Sequence, residues 1–126
     1  MKPDNYKNLI VWHKSIDLCV EIYQMIKDFP KYELFGLCDQ LRRCSVSVPS
    51  NIAEGFSRDS KKETLRFLSV SRGSIGEIET QVILSNRLGY IDGSRTDDLL
   101  YKINGINVML ISLMNKLRDS LNDLTT

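Results

Sequence analysis

The stretch Gln40-Leu41-Arg42-Arg43-Cys44-Ser45-Val46-Ser47-Val48-Pro49-Ser50-Asn51-Ile52-Ala53-Glu54-Gly55 carries two stripes side by side. Counted from Leu37, its apolar residues Leu41, Cys44, Val48 and Ile52 step by 4, 3, 4 and 4. That spacing keeps them on one helix face, whereas a half-buried strand would alternate every second residue. Gln40, Ser47 and Glu54 recur every seven residues, with Arg43 and Asn51 beside them. Polar groups bordering a core need hydrogen-bond partners wherever they are covered. Ser74 and Glu77, farther along the chain, could supply some. The stripe therefore reads either as a network fixing helix register or as a recognition surface for a partner or nucleic acid. Pro49 removes one backbone hydrogen bond and crowds the carbonyl of Ser45, which predicts a kink near Pro49. Two shorter helices broken at Val48 are the alternative. Gly55 suits the left-handed residue that often closes a helix.

Outward from this segment the same periodicity repeats. Before it, Leu9, Trp12, Ile16, Cys19, Tyr23 and Ile26 step by 3, 4, 3, 4 and 3, until Pro30 stops the helix. After it, Ser60-Lys61-Lys62-Glu63 reads as a capping box. A third helix then places Leu65, Leu68, Ile75, Ile78 and Val82 on one face and ends at Gly89. Another of its faces holds Ser69, Gly73, Gly76 and Thr80. Each interior glycine costs a helix about 1 kcal/mol relative to Ala. Close approach of another backbone would offset that; simple tolerance is the alternative. Asp92-Gly93-Ser94 makes the last turn, with Ser94 as the expected N-cap and Asp97 and Asp98 favourable near the positive helix end. Leu99, Ile103, Ile106, Leu110, Leu113, Leu117, Leu121 and Leu124 hold a final apolar seam. No stretch alternates with period two for long enough to demand a sheet. The expected fold is all-α: one domain over residues 1–126, with helices at about 8–29, 33–55, 60–88 and 94–122, packed as an antiparallel up-down-up-down four-helix bundle.

With 126 residues, 42% apolar and 26% charged, the chain can bury a core without disulfides or metals. Its three cysteines (Cys19, Cys38 and Cys44) are odd in number and form no C-x-x-C pair, as expected of thiols packed in a reducing, cytoplasmic compartment. No basic-then-apolar signal segment opens the chain, and no uncharged run approaches the roughly 18 residues that span a bilayer. Neither secretion nor membrane insertion is expected.

Charge is unevenly spread. Between Arg42 and Arg72 seven basic residues face three acidic ones, a local +4 inside a chain of net +1. Surface potential follows such clustering more than the total. Arg42, Arg43, Arg58, Lys61, Lys62, Arg66 and Arg72 are thus the candidate contacts for a nucleic acid or other partner. Clustered cations can displace counterions from a phosphate backbone. Asp59 and Glu63 lie among them, however, and charge runs on helices are usually solvated faces.

Chemistry of other kinds finds little support. His13, the sole histidine, has no E-x-x-H partner of the type used by carboxylate-bridged metal bundles. Neither a G-x-x-x-x-G-K-S/T loop nor a G-x-S-x-G elbow is present. Glu77 and Glu79, two residues apart on a helix, point to different faces and make a poor acid/base pair. No enzyme activity, catalytic residue, metal or cofactor is expected.

Gly36-Leu37, Gln40 to Arg43, the run Ser47-Val48-Pro49-Ser50-Asn51-Ile52-Ala53-Glu54-Gly55, and Gly73-Ser74 with Glu77 and Glu79 resemble the 23S rRNA intervening-sequence protein family. Trp12, Tyr23, Phe29-Pro30 and Gly89-Tyr90 fit the same pattern. The resemblance implies a bacterial four-helix bundle assembling as a homopentamer with a central channel, and it brings no catalytic residues. A protein related in fold, the accessory variability determinant of diversity-generating retroelements, binds nucleic acid and a reverse transcriptase through basic surfaces. Two expectations follow. One is an oligomer that binds RNA or another nucleic acid through its basic residues. The other is a purely structural module contacting a protein such as a reverse transcriptase. The near-neutral charge of this chain departs from that basic relative.

Overall fold

The computed structural model describes the backbone of residues 3–125 and the side chains of residues 6–121. One 3-10 segment, Pro3–Asn8, leads into helix α1, Ile10–Ile26. A 3-10 turn at Lys31–Glu33 follows, then α2 (Leu37–Phe56), α3 (Lys61–Arg87) and α4 (Gly93–Thr125). No strand occurs among the described residues. Each helix packs on its neighbours in sequence, and α1 closes against α4. Paired residues run in opposite order along α1 and α2, where Cys19 meets Ser45 and Cys38 meets the Ile26 carbonyl. They do so too along α2 and α3, where Val48 meets Ser71 and Gln40 meets Gln81, and Glu21 of α1 meets Lys102 of α4.

The core is continuous through all four helices. Ile22, Leu41, Ile52, Leu68, Ile78, Leu99, Ile103 and Leu110 are fully enclosed. Burying one such side chain stabilises the fold by roughly 1.5–3 kcal/mol, so these residues dominate its energetics. The α2 stripe is buried as its spacing requires, except that Cys44 stays half-exposed. On α4, Met114 joins the seam while Leu113 and Leu117 pack at its edge; Leu124 lies outside the described side chains. Helix α1 departs from expectation. Its buried line is Val11, Ser15, Leu18, Ile22 and Met25, with Ile26 beside it. Leu9, Trp12, Ile16 and Cys19 flank that line, and Tyr23 is exposed. Ser15 disguises the inner line in the sequence; its hydroxyl is satisfied by donating to the Trp12 carbonyl at 2.7 Å.

Helix ends show which local rules prevailed. The backbone of α2 runs unbroken through Pro49, so two helices split at Val48 do not occur. Its first turn is held from outside, since Glu33 Oε1 accepts from the Leu37 amide and Glu33 Oε2 accepts from the Tyr90 hydroxyl. Ser60 caps α3 by accepting from the Glu63 amide at 3.1 Å, while the Glu63 carboxylate turns to Arg66. Gly89, at φ 81°, closes α3 in the left-handed conformation, and the Tyr90 amide reaches back to the Ser85 carbonyl. Ser94 is not the cap of α4. Asp92 takes that role, accepting from the Arg95 amide at 2.7 Å, because α4 starts one residue earlier than expected.

Gly55 is also a correction. It lies inside α2 with an ordinary backbone, not in a left-handed cap. A Cβ there would sit 3.1 Å from both the Thr64 carbonyl oxygen and the Phe67 Cβ. Glycine is needed because α3 passes directly over it. Gly55→Ala is expected to lower stability by about 1–3 kcal/mol, as overpacking against backbone does. Thermal unfolding followed by circular dichroism measures this, and an unchanged midpoint would show that the two helices can separate freely.

Candidate functional site

The polar stripe of α2 lies against α3, and the two helices share a hydrogen-bonded seam. Thr64 donates to the Gly55 carbonyl at 2.7 Å, and Ser71 donates to the Val48 carbonyl at 2.9 Å. The hydroxyls of Ser47 and Ser74 share a hydrogen bond of 2.8 Å, and the Asn51 amide donates to Ser47 Oγ at 3.0 Å. Farther along, Gln81 Nε2 reaches Gln40 Oε1 and Cys44 Sγ, and the Cys44 thiol faces Glu77. Burial pushes the Cys44 thiol above its ordinary range, the Gln81 hydrogen bond opposes this, and the Glu77 charge adds to it. Of the residues singled out in sequence, Ser47, Asn51 and Ser74 therefore meet in one hydrogen-bonded group, and Gln40 and Glu77 in a second, through Gln81 and Cys44. Glu54 instead pairs outward with Arg58 at 2.8 Å. Thr64, Ser71 and Gln81 were not singled out, although Thr64, Ser71, Ser74 and Gln81 follow helical spacing and could have been read as a second buried stripe.

The seven basic residues do not form one surface. Arg42 and Arg43 lie near the start of α2, sixteen and fifteen residues before Arg58, which is roughly 23 Å along a helix axis. Both approach Asp39, and Arg42 also donates to the Leu34 carbonyl at 2.9 Å. At the other end of α2, Arg58, Lys61, Lys62 and Arg66 surround the turn into α3. Arg58 pairs with Glu54, Arg66 pairs with Glu63 at 3.0 Å, and Lys61 bonds the Ser120 hydroxyl. The two guanidiniums also stack over the Phe67 ring, at 4.8 and 4.9 Å from its centroid. That arrangement holds two cations close together at an exposed corner. Arg72 stands apart on the outside of α3.

The outer face of α3 is the molecule's most unusual surface. Ser69, Val70, Gly73, Gly76, Thr80, Ile83, Leu84 and Leu88 are all exposed, with Val70 at 47% and Leu84 at 45%. A Cβ added to Gly73 or Gly76 would meet nothing within 4 Å. The close backbone approach expected at these glycines is absent among the described residues; Gly55, between α2 and α3, supplies the tight contact. A second apolar surface is an open groove of about 580 Å³ between α1 and α4, with Leu18, Ile106 and Met109 among its lining. His13 serves neither surface: its ring bonds the Lys7 carbonyl and packs edge-on against Trp12. Among the described residues no group of three or more His, Cys, Asp or Glu is placed to hold a metal, and no helix is long and apolar enough to cross a membrane.

These features define an all-α helical bundle built around a polar α2–α3 seam. Residues 7–112 match the family described as 23S rRNA-intervening sequence protein, and the chain belongs to that family. In three dimensions it is similar to a protein of unknown function from the S23 ribosomal protein family of Bacteroides thetaiotaomicron. The two are 24% identical and superpose with a TM-score of 0.78, over 90% of this chain and 99% of that one, a likeness of fold. No curated protein matches.

The Ser47–Ser74 bond is expected to be coupled. Either serine changed to Ala should cost about 1 kcal/mol, because it leaves the other hydroxyl short of a partner. The double variant should cost clearly less than the sum of the two. Urea unfolding of the three variants measures the coupling, and strict additivity would mean that the two hydroxyls act independently.

Proposed function

We propose that this protein is a non-enzymatic, cytoplasmic building block that self-associates through the outer face of α3 and presents basic residues to RNA or another nucleic acid. One observation carries the self-association. Val70, Ile83, Leu84 and Leu88 are exposed on the same helix face as Gly73, Gly76 and Thr80, with Glu77 between Val70 and Leu84. Exposed apolar residues grouped on one face of a helical bundle mark an interaction site, and small residues let a second backbone approach. The family resemblance sets the expected number of copies at five.

Static light scattering should therefore report a multiple of the chain mass. Leu84→Asp should reduce it to the single-chain mass with helix content unchanged, because a charge would be buried in the contact. A wild-type chain that stays monomeric at high micromolar concentration would end this reading.

Nucleic-acid contact is supported by the corner where Arg58 and Arg66 stack on Phe67 beside Lys61 and Lys62. Four of the seven candidate cations, however, are already paired with carboxylates. That favours weak, salt-sensitive binding and keeps a second reading in play: a structural module that holds a nucleic-acid-associated protein such as a reverse transcriptase. Affinity for a structured RNA, measured from low to physiological salt, separates the two. The first reading expects Arg58→Ala with Lys62→Ala to flatten the log–log salt slope by about one for each phosphate that is no longer neutralised. Absence of binding at low salt would leave the structural module.

A further inference from the structure

We infer that the cleft between the end of α1 and the start of α2 is a binding site for a small aromatic carboxylate. The cleft forms where α1 stops at Ile26 and the chain crosses to α2. It encloses about 470 Å³, within the size range of small-molecule sites. Ile26, Phe29 and Cys38 are its buried lining groups, while Tyr23 and Leu34 stay 40% and 48% exposed. Its walls are held in place. Arg42 donates to the Leu34 carbonyl at 2.9 Å, and Glu33, next to Leu34, is tied to the Leu37 amide and the Tyr90 hydroxyl. The Phe29 ring leans on that of Tyr90, 5.1 Å away. A site that is already ordered loses less freedom on binding.

Charge selects the sign of the ligand. Lys27, Lys31 and Arg42 line the cleft, and no carboxylate does. Between residues 27 and 43 the carboxylates are Asp28, Glu33 and Asp39, against four cations once Arg43 is counted, a net +1. Asp39 takes Arg42 and Arg43, and both oxygens of Glu33 are engaged. Lys27 and Lys31 make no ion pair among the described residues. They are the cations left for an anionic group at the rim.

The lining selects the body of the ligand. Tyr23, Phe29 and Pro30 are rings, and aromatic rings gain from edge-on or offset packing against one another. A nucleobase would bring N–H donors on its edge, and among the lining side chains only the Tyr23 hydroxyl and the Cys38 sulfur could accept from one. Polar groups buried without partners are costly. A hydrocarbon ring bearing one carboxylate buries none.

Equilibrium dialysis with 2-naphthoate tests this. Wild type should bind it with a Kd on the order of 0.1–1 mM at low salt, and roughly tenfold more tightly than the neutral 2-naphthalenemethanol. Lys27→Glu with Lys31→Glu should weaken binding by roughly tenfold or more, and Leu34→Asp should do the same from the wall. Lys14→Glu with Lys116→Glu makes the same charge change beside α1 and α4, and should leave binding unchanged. All five positions are exposed, and circular dichroism checks the fold of each variant. The ligand series needs only the wild type, so it decides even where a variant fails to fold. No binding of 2-naphthoate at millimolar concentration, equal affinity for the alcohol, an equal loss in the control pair, or tighter binding of adenosine monophosphate than of 2-naphthoate would each overturn the assignment.

Discussion

The close passage of α3 over Gly55 fixes where everything else in the bundle can sit. At that point the Gly55 carbonyl accepts from the Thr64 hydroxyl, which also bonds the Ser60 carbonyl, and Ser60 in turn caps α3. The turn, the start of α3 and the end of α2 are thereby one hydrogen-bonded unit. Beyond it the helices stay close through Ser71 and Val48, then Ser74 and Ser47, then Gln81 and Gln40. Such bonds add little net stability each, but a buried hydroxyl without a partner costs about 1–3 kcal/mol. A slip of α3 by one heptad would still bury leucines and isoleucines, but it would take Ser71 from the Val48 carbonyl and Ser74 from Ser47. Apolar packing drives the bundle to form, and the polar seam chooses its register.

Helix identity was legible because the apolar residues of every segment recur at helical spacing, and glycine, proline and serine mark most ends. The details that were not legible share one cause: local signals do not say what crosses a helix in space. Gly55 looks like a terminator, yet only the position of Thr64 and Phe67 reveals that it is a contact point. In α1, so many positions are apolar that two adjacent stripes fit the period, and Ser15 conceals the buried one. Asp92 and Ser94 are both good caps, and the two-residue difference between them lies within the usual freedom of helix ends.

The candidate surfaces were legible in kind more than in arrangement. A count of charges gives the basic middle of the chain, but the length of α2 sets Arg42 and Arg43 near one end and Arg58, Lys61 and Lys62 beyond the other. Pairing is equally invisible to counting: Asp39, Glu54 and Glu63 each take a nearby arginine three or four residues away. The small-residue face of α3 was visible as a pattern. That it faces outward, beside exposed Val70 and Leu84, depends on which side of α3 the polar seam occupies.

Self-association of the kind proposed would change what the remaining cations can do. A single corner of Arg58, Lys61, Lys62 and Arg66, with carboxylates among them, is a poor match for a polyanion in salt. The outer face of α3 runs along the side of the bundle, whereas this corner lies at its end. Contacts along the side leave the ends uncovered, so an assembly built from such contacts would repeat the corner once per copy. Linked weak sites gain avidity without any new contact, provided one ligand can reach several of them. In such an assembly a chain of net +1 has no need of strong basicity. The spacing of the copies would govern recognition, and a long or structured nucleic acid would be held where a short one is not.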